Sequence, residues 1–296
     1  MERYPAPARP IVAALHATAA TDPARAASFQ GAPGANSHAA VAQALPDALP
    51  VPCWSFEDAI DAVRDGQAGR AVIPIENSLH GRVADIHFLL PESGLSITGE
   101  HFLPIRHALL GLGEFEHVCQ VLSHPQALGQ CRHWLRARGM EPIAYADTAG
   151  AAARVVELAD PAVAALAPPL AAEIYGLRVL APDASDAADN VTRFVVLARE
   201  PATPPPDLPL LTTLVFAVRN VPAALYKAMG GFATNGVNMV KLESYQRGAS
   251  FTATEFYADI VGHPDEPNVA RALDELRFHS HWVRLLGTYP QALPRG

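Results

Sequence analysis

Four short polar segments interrupt otherwise apolar stretches of this 296-residue sequence, and each could hold or polarise an anionic small molecule. In Gly31-Ala32-Pro33-Gly34-Ala35-Asn36-Ser37-His38, glycine bends the chain and Ser37 offers a hydroxyl where a helix begins, a natural place for an anion. The segment lacks both the dinucleotide glycine pattern and the Lys-Ser/Thr of a phosphate loop, so an ordinary turn competes with the binding role. Glu76-Asn77-Ser78 places a carboxylate and an amide directly after the apolar run that ends at Ile75, with helix capping and turn formation as the plainer reading. In Ser123-His124-Pro125-Gln126, capping accounts for Ser123 and helix initiation for Pro125, which leaves His124 and Gln126 unexplained. A histidine there is more often a satisfied, partly buried side chain than a catalyst. Finally, Asn190-Val191-Thr192-Arg193-Phe194 leads into a strongly β-forming run. Arginine at such a site is costly to bury unless it meets an anion, and its planar fork suits a carboxylate; an ion pair with Asp186 or Asp189 is the competing explanation.

All four segments sit where strands should end, and α/β sheets bind ligands at the carboxyl ends of their strands. Ala26–Gln30 reads as a strand, followed by the glycine turn and an Ala-rich helix; Phe56–Asp65 has helical spacing and stops at Gly66. Arg70–Ile75 is continuous and β-branched, the pattern of a strand covered on both faces. Strands are predicted over Ile105–Leu112, Val118–Ser123, Ala162–Leu166 and Arg193–Ala198, and helices over Pro125–Arg138, Thr148–Leu158 and Pro168–Tyr175. This alternation predicts a mostly parallel sheet. Five prolines between Pro201 and Pro209 then make a stiff connector and mark a domain boundary.

Beyond the connector the pattern is strand Thr212–Arg219, helix Pro222–Thr234, strand Val237–Gln246, a hairpin across Arg247-Gly248 into Phe251–Val261, helix Val269–His279 and strand Trp282–Thr288. This βαββαβ order predicts a ferredoxin-like α+β module, four strands with two helices on one face. The other face needs a cover, and a second copy of the module is the simplest one.

The composition excludes several classes. A formal net charge of −8 disfavours nucleic acid and anionic membrane surfaces, which need a basic face. No apolar run approaches the ~20 residues of a membrane span. Three cysteines, Cys53, Cys119 and Cys131, without Cys-x-x-Cys or paired histidines, argue against a disulfide framework or a metal site and for a reducing, cytoplasmic compartment. The first 25 residues read as a flexible leader; Ile11–Ala20 loosely imitates a signal peptide, but Pro5, Pro7, Pro10 and His16 argue against export.

Taken together, the glycine turn with its Ser-His, Pro74-Ile75-Glu76-Asn77-Ser78, Ser123-His124-Pro125-Gln126-Ala127-Leu128 and Asn190-Val191-Thr192-Arg193-Phe194 resemble the prephenate dehydratase family, in this order over about 170 residues. The C-terminal module resembles an ACT domain. The resemblance implies two α/β lobes around a cleft, similar to type II periplasmic binding proteins. Lobe one would be residues 26–75 plus 179–200, lobe two 76–178, with a linker at 201–210 and the ACT domain at 211–290. It implies conversion of prephenate to phenylpyruvate in phenylalanine biosynthesis, with no metal or redox cofactor. Arogenate dehydration and non-catalytic solute capture are the alternatives. Implied roles are Thr192 as hydrogen-bond donor to the departing hydroxyl, Arg193 on the retained carboxylate and Phe194 in the wall, with Ser37, Asn77, Ser78, Ser123, His124 and Gln126 around the substrate. About 25 residues precede the first strand, too few for a fused helical mutase, so a monofunctional enzyme is expected, assembled as a homodimer or homotetramer. L-phenylalanine as effector would meet Ala223, Ala224, Leu225, Asn238, Glu243 and Ser244. Here the family's Pro-Gly-Ala-Leu reads Pro222-Ala223-Ala224-Leu225, and Glu-Ser-Arg-Pro reads Glu243-Ser244-Tyr245-Gln246, departures that bear directly on sensing.

Overall fold

Proline at a helix start costs nothing, because the first N–H groups have no helical partner anyway. The N-terminal segment uses this: with Pro7 at its N-cap and Pro10 in its first turn, α1 (Ala8–Ala19) forms where a flexible leader is expected from sequence. It is held by burial of Tyr4, Ala8 and Val12, by the edge of Tyr4 against Trp54 at 5.3 Å, and by His16 Nε2 at 2.8 Å from the Pro52 carbonyl. Burying a side chain of valine size contributes about 1.5–3 kcal/mol, so these contacts act together with the helical hydrogen bonds to offset the entropy of ordering the segment.

The computed structural model describes residues 2–205, 207–219, 221–246 and 255–295. After α1 come β1 (Ala26–Gln30), α2 (Asn36–Ala44), β2 (Leu49–Cys53), α3 (Phe56–Arg64), β3 (Arg70–Asn77), β4 (Gly81–Arg82), α4 (Ala84–Leu89), β5 (Ser96–Pro104) and β6 (Ala108–Gly111). Then follow β7 (Gln120–Ser123), α5 (Pro125–Gln130), α6 (Arg132–Ala137), β8 (Glu141–Ala144), α7 (Thr148–Leu158), β9 (Val163–Ala167), α8 (Pro169–Tyr175), β10 (Arg178–Ala181) and β11 (Val191–Ala198). The C-terminal set is β12 (Leu210–Val218), α9 (Ala224–Thr234), β13 (Met239–Tyr245), β14 (Glu255–Val261), α10 (Pro267–His279) and β15 (Ser280–Pro290). The expected hairpin turn Arg247-Gly248 and the first residues of the strand predicted after it lie outside the described residues.

The chain divides into two compact units, one running up to Val83 together with His101–Phe194, the other comprising Ala84–Glu100 together with everything from Val195. The division therefore falls ahead of the proline-rich connector expected to mark it. Two sheets build the lobes: one runs β2-β1-β3-β11-β5, with β4 on β3, its strands β5 and β11 each crossing a boundary of that division; the other, wholly within the first unit, runs β10-β6-β9-β7-β8. The lobe boundaries read from sequence need two corrections. β10, expected in lobe one, pairs antiparallel with β6 in the second sheet, while β5, expected in lobe two, joins β11 in the first. The expectation of mostly parallel pairing holds for β1 with β2 and β3 and for β7 with β8 and β9, but β6 is antiparallel to both its neighbours. The single helix expected over 125–138 is two, broken at Cys131, because the Asp186 carboxylate takes the His133 and Trp134 N–H groups at 2.8 and 2.9 Å and starts a new helix there.

The second unit contains the four-stranded antiparallel sheet β13-β14-β12-β15 with α9 and α10 packed on one face through Leu214, Phe216, Phe232, Phe256, Ile260, Val269 and Leu273. Its other face needs a cover, for which a second copy is the simplest choice from sequence. Ala84–Glu100, from the middle of the chain, contributes to that cover: His87 meets the Tyr257 ring at 5.1 Å, Phe88 meets Tyr245 at 5.6 Å, and Arg284 donates to the Pro91 carbonyl. On the same side Thr213 donates to the fully buried Asp259 at 2.6 Å, and Arg295 pairs with Glu100 at 2.7 Å.

Two alanines hold left-handed backbone, Ala159 at φ 53° closing α7 and Ala223 at φ 61° preceding α9. The Cβ is unfavourable there by about 1 kcal/mol. Ala159→Gly and Ala223→Gly should each raise the free energy of unfolding by up to about 1 kcal/mol in urea titrations. Glycine elsewhere on α7, as at Ala153, should lower it by a similar amount.

Candidate active site

Strand alternation settles which side chains can meet at the end of β3 and the start of β11. Neighbouring residues on a strand point to opposite faces, so Glu76 and Asn77 diverge, as do Thr192 and Arg193. The result is two pairs. Asn77 Nδ2 donates to Thr192 Oγ1 at 2.9 Å on one side, and Arg193 Nη1 donates to Glu76 Oε1 at 2.9 Å on the other. Arg193 is 1% exposed, so its charge is compensated inside the protein by Glu76, not by Asp186 or Asp189. Asp186 is occupied at the α6 N-terminus, and the Asp189 carbonyl accepts from Ser78. Phe194, two residues beyond Thr192, is fully buried.

The Asn77 amide is oriented by backbone. Its Oδ1 accepts the Leu79 and His80 N–H groups at 3.0 and 3.1 Å, which forces Nδ2 toward Thr192 and toward Asn190 Oδ1 at 2.7 Å. Thr192 Oγ1 is therefore an acceptor from protein, and among the described residues no protein group takes its own proton. A hydroxyl held this way is polarised and has its hydrogen left for a ligand. Ser78 is fully used: its Oγ donates to the Asp189 carbonyl and accepts the Val191 N–H, both at 2.9 Å, locking β11's first residue to the end of β3.

The network crosses to the second lobe through Gln130, at the last position of α5. Its Oε1 accepts from Asn190 Nδ2 at 3.0 Å and lies 2.6 Å from His107 Nε2, while its Nε2 reaches His80 Nδ1 at 3.0 Å. Asn190, Gln130, His80 and His107 were absent from the residues chosen from sequence. The available signal was slight: Gln130 lies two positions past the Ala127-Leu128 end of a recognised motif, and Asn190 opens another.

The remaining chosen residues lie at the opposite ends of α5 and α2. Ser123, expected to cap or to touch substrate, is buried and donates to the Leu166 carbonyl at 2.6 Å; the α5 cap is His124, whose Nδ1 accepts the Gln126 N–H at 3.3 Å. Burial holds the His124 imidazole below its ordinary pKa, with Asp147 opposing, so it is neutral at neutral pH. Gln126 is exposed in the first turn. Ser37 is buried in the first turn of α2, whose N-cap Ala35 supplies no side-chain hydrogen bond. The turn before it is tightly seated: Gly34 has φ +92°, and a Cβ there would lie 2.8 Å from the Ala171 Cα of α8 in the other lobe. Neighbouring His38 stacks on Phe29, accepts the Gly34 N–H, and is held by burial at a pKa of about 4.

In the C-terminal unit, Ala223 keeps the left-handed corner and Ala224 is buried, with Leu225 packed against the module's core. Asn238 and Ser244 are exposed, and Glu243 accepts from Lys241 at 3.5 Å. Tyr245, where the resemblance led one to expect arginine, is buried with its ring edge-on to Phe88. All three cysteines are free, no group of metal-ligating side chains is found among the described residues, and no helix there is long and apolar enough to cross a membrane.

An amide and imidazole network ties the two sheets' elements together and leaves the Thr192 hydroxyl to donate, an arrangement suited to holding a small polar ligand. The sequence profile of prephenate dehydratase matches residues 27–202, and the chain belongs to the prephenate dehydratase family, whose members are hydro-lyases. It is 49% identical over 265 residues, 88% of this chain and 94% of the relative, to a bifunctional N-acyl-homoserine lactone acylase/prephenate dehydratase of Komagataeibacter europaeus. It is 39% identical over 284 residues, 90% of this chain and 72% of the relative, to the chloroplastic arogenate dehydratase/prephenate dehydratase 1 of Arabidopsis thaliana. The solved structure of prephenate dehydratase from Arthrobacter aurescens in complex with L-Phe superposes with a TM-score of 0.82 at 34% identity, covering 90% of each chain.

Proposed function

We propose that prephenate is bound between the two lobes and that Thr192 donates a hydrogen bond to its departing ring hydroxyl. The observation carrying this reading is the Thr192 hydroxyl itself, which accepts from Asn77 and retains its proton for a ligand. In the reaction, the bond to the ring carboxylate breaks, its electron pair moves into the ring, and the ring carbon–oxygen bond opens, giving carbon dioxide, hydroxide and phenylpyruvate. Aromatisation supplies the drive. Threonine is too weak an acid to surrender its proton fully, so it polarises the leaving oxygen, which takes its proton from water. Hydrogen-bond assistance of this kind contributes about 10²- to 10⁴-fold, and orientation supplies much of the rest.

The retained side-chain carboxylate fits the uncapped N-terminus of α2 with Ser37, where N–H groups are available. This reading moves it away from Arg193, whose charge is compensated by Glu76. Asn77 aims Thr192, Ser78 holds the strand ends, and His124, Gln126 and Ser123 belong to the wall and its support. The C-terminal module is proposed to be an ACT domain that still binds L-phenylalanine and assembles the chain into a homodimer or homotetramer. Its βαββαβ order and the retained corner at Ala223 support that reading, as does the L-Phe complex of the Arthrobacter relative. The three free cysteines support a reducing, cytoplasmic setting. Titration calorimetry with L-phenylalanine should give saturable heat at or below millimolar ligand; no heat would reduce the module to an assembly domain.

Arogenate remains the alternative substrate, and parallel assays with prephenate and arogenate decide it by their kcat/KM ratio. The monofunctional expectation faces one specific observation, the 49% identity to a relative whose name includes an N-acyl-homoserine lactone acylase. Incubation with an N-acyl-homoserine lactone and mass detection of the free fatty acid separates the readings.

A further inference from the structure

We propose that His107 is a positioning residue for the dehydration step, locked in one tautomer so that it fixes Gln130 and, through Asn190 and Asn77, the Thr192 hydroxyl. The inference rests on Thr192 as the donating group.

The directions of the hydrogen bonds running from Asn77 through Asn190 to Gln130 and His107 follow from the backbone at Asn77. The Leu79 and His80 N–H groups fix Asn77 Oδ1, so Asn77 Nδ2 must face Asn190 Oδ1 at 2.7 Å and Thr192 Oγ1 at 2.9 Å. Asn190 Nδ2 then points at Gln130, whose facing atom is Oε1 at 3.0 Å. That same oxygen lies 2.6 Å from His107 Nε2, so His107 must carry its proton on Nε2. Its other ring nitrogen agrees: Nδ1 is buried without a partner, and a bare acceptor there is less costly than an unsatisfied N–H. His107 is 2% exposed, so burial holds the ring, and its carbonyl accepts the Ala184 N–H at 2.8 Å, which fixes the backbone beneath it. Gln130 Oε1 thus receives two donors, one from each side, and its Nε2 is turned to His80 Nδ1 at 3.0 Å. Without the His107 donor the Gln130 amide is free to rotate and Asn190 loses its directed acceptor, so the Asn190 Oδ1 that helps hold Asn77 Nδ2 against Thr192 is no longer fixed. The ring is too deep to touch substrate; it acts through Gln130.

The chemistry gives a sharp substitution test. Glutamine can place its Nε2 donor where imidazole places Nε2, whereas asparagine reaches only the Nδ1 position. For H107N, kcat with prephenate should fall about ten- to a hundredfold with KM within about threefold, and H107Q should recover most of that loss. In a Thr192→Ala background, H107N should cost less than about twofold more, because the group it positions is gone. Equal kcat in H107N and the parent, a loss in H107Q as large as in H107N, or full additivity with Thr192→Ala would overturn the inference. If H107N fails to fold, judged by its thermal transition, H107Q and its combination with Thr192→Ala still decide. A parent protein that does not turn over prephenate would instead overturn the functional reading.

Discussion

Replacing Thr192 with alanine lowers kcat for prephenate by about 10²- to 10⁴-fold while KM changes less than about threefold. The split follows from where the hydroxyl sits. Its oxygen is held by Asn77 Nδ2 at 2.9 Å and its proton is not taken by a protein group among the described residues, so the contact it makes strengthens as charge builds on the leaving oxygen. Ground-state binding depends instead on groups that Thr192→Ala leaves in place. Thr192→Ser, which keeps the hydroxyl but not the methyl, should retain most of the activity. Steady-state rates of phenylpyruvate formation for the three proteins check this. A Thr192→Ala enzyme with unchanged kcat, or one affected only in KM, would contradict the assignment.

Glu76→Gln should destabilise the protein by about 2–4 kcal/mol, less than a fully buried pair would lose because the Glu76 side chain is 29% exposed. Arg193 is 1% exposed, and the substitution leaves its guanidinium without the carboxylate at 2.9 Å. For a chain of this size the thermal midpoint should drop by about 3–6 °C. KM for prephenate should stay within about twofold. The outcome distinguishes two roles for Arg193. If the guanidinium grips the substrate carboxylate, removing its internal competitor should tighten binding and lower KM markedly. The structure expects the opposite balance, lost stability with unaltered affinity.

The two roles looked alike in the sequence because Thr192 and Arg193 are adjacent, and adjacency suggested a shared target. On a strand, adjacency means opposite faces. The elements with strong local signals were legible: β3 as a continuous β-branched run, α7 with Asp147 as its cap, α8 ended by left-handed Gly176, and the βαββαβ order of the module. What escaped depends on pairing between distant residues. Nothing local in Arg178–Ala181 says that it leaves the first sheet for β6, and nothing in Ala84–Glu100 says that it covers the sheet of the C-terminal module, within one unit with it. The N-terminal helix was obscured by prolines that its first turn tolerates. Tyr245 read as damage to a sensor motif, yet it packs on Phe88, a contact visible only once the strand and the intervening segment are placed. At the site, Asn77 and Thr192 were identifiable from their segments, whereas Gln130 and His107 are linked across 23 residues by a hydrogen bond that no spacing rule anticipates.

The most direct test of the account is the formation of phenylpyruvate from prephenate by the purified chain, followed at its enolate absorbance. Turnover should fall in the ordinary enzymatic range of about 1–10³ s⁻¹, without added metal or redox cofactor. A rate no higher than that of prephenate in buffer alone, from a folded protein, would contradict it.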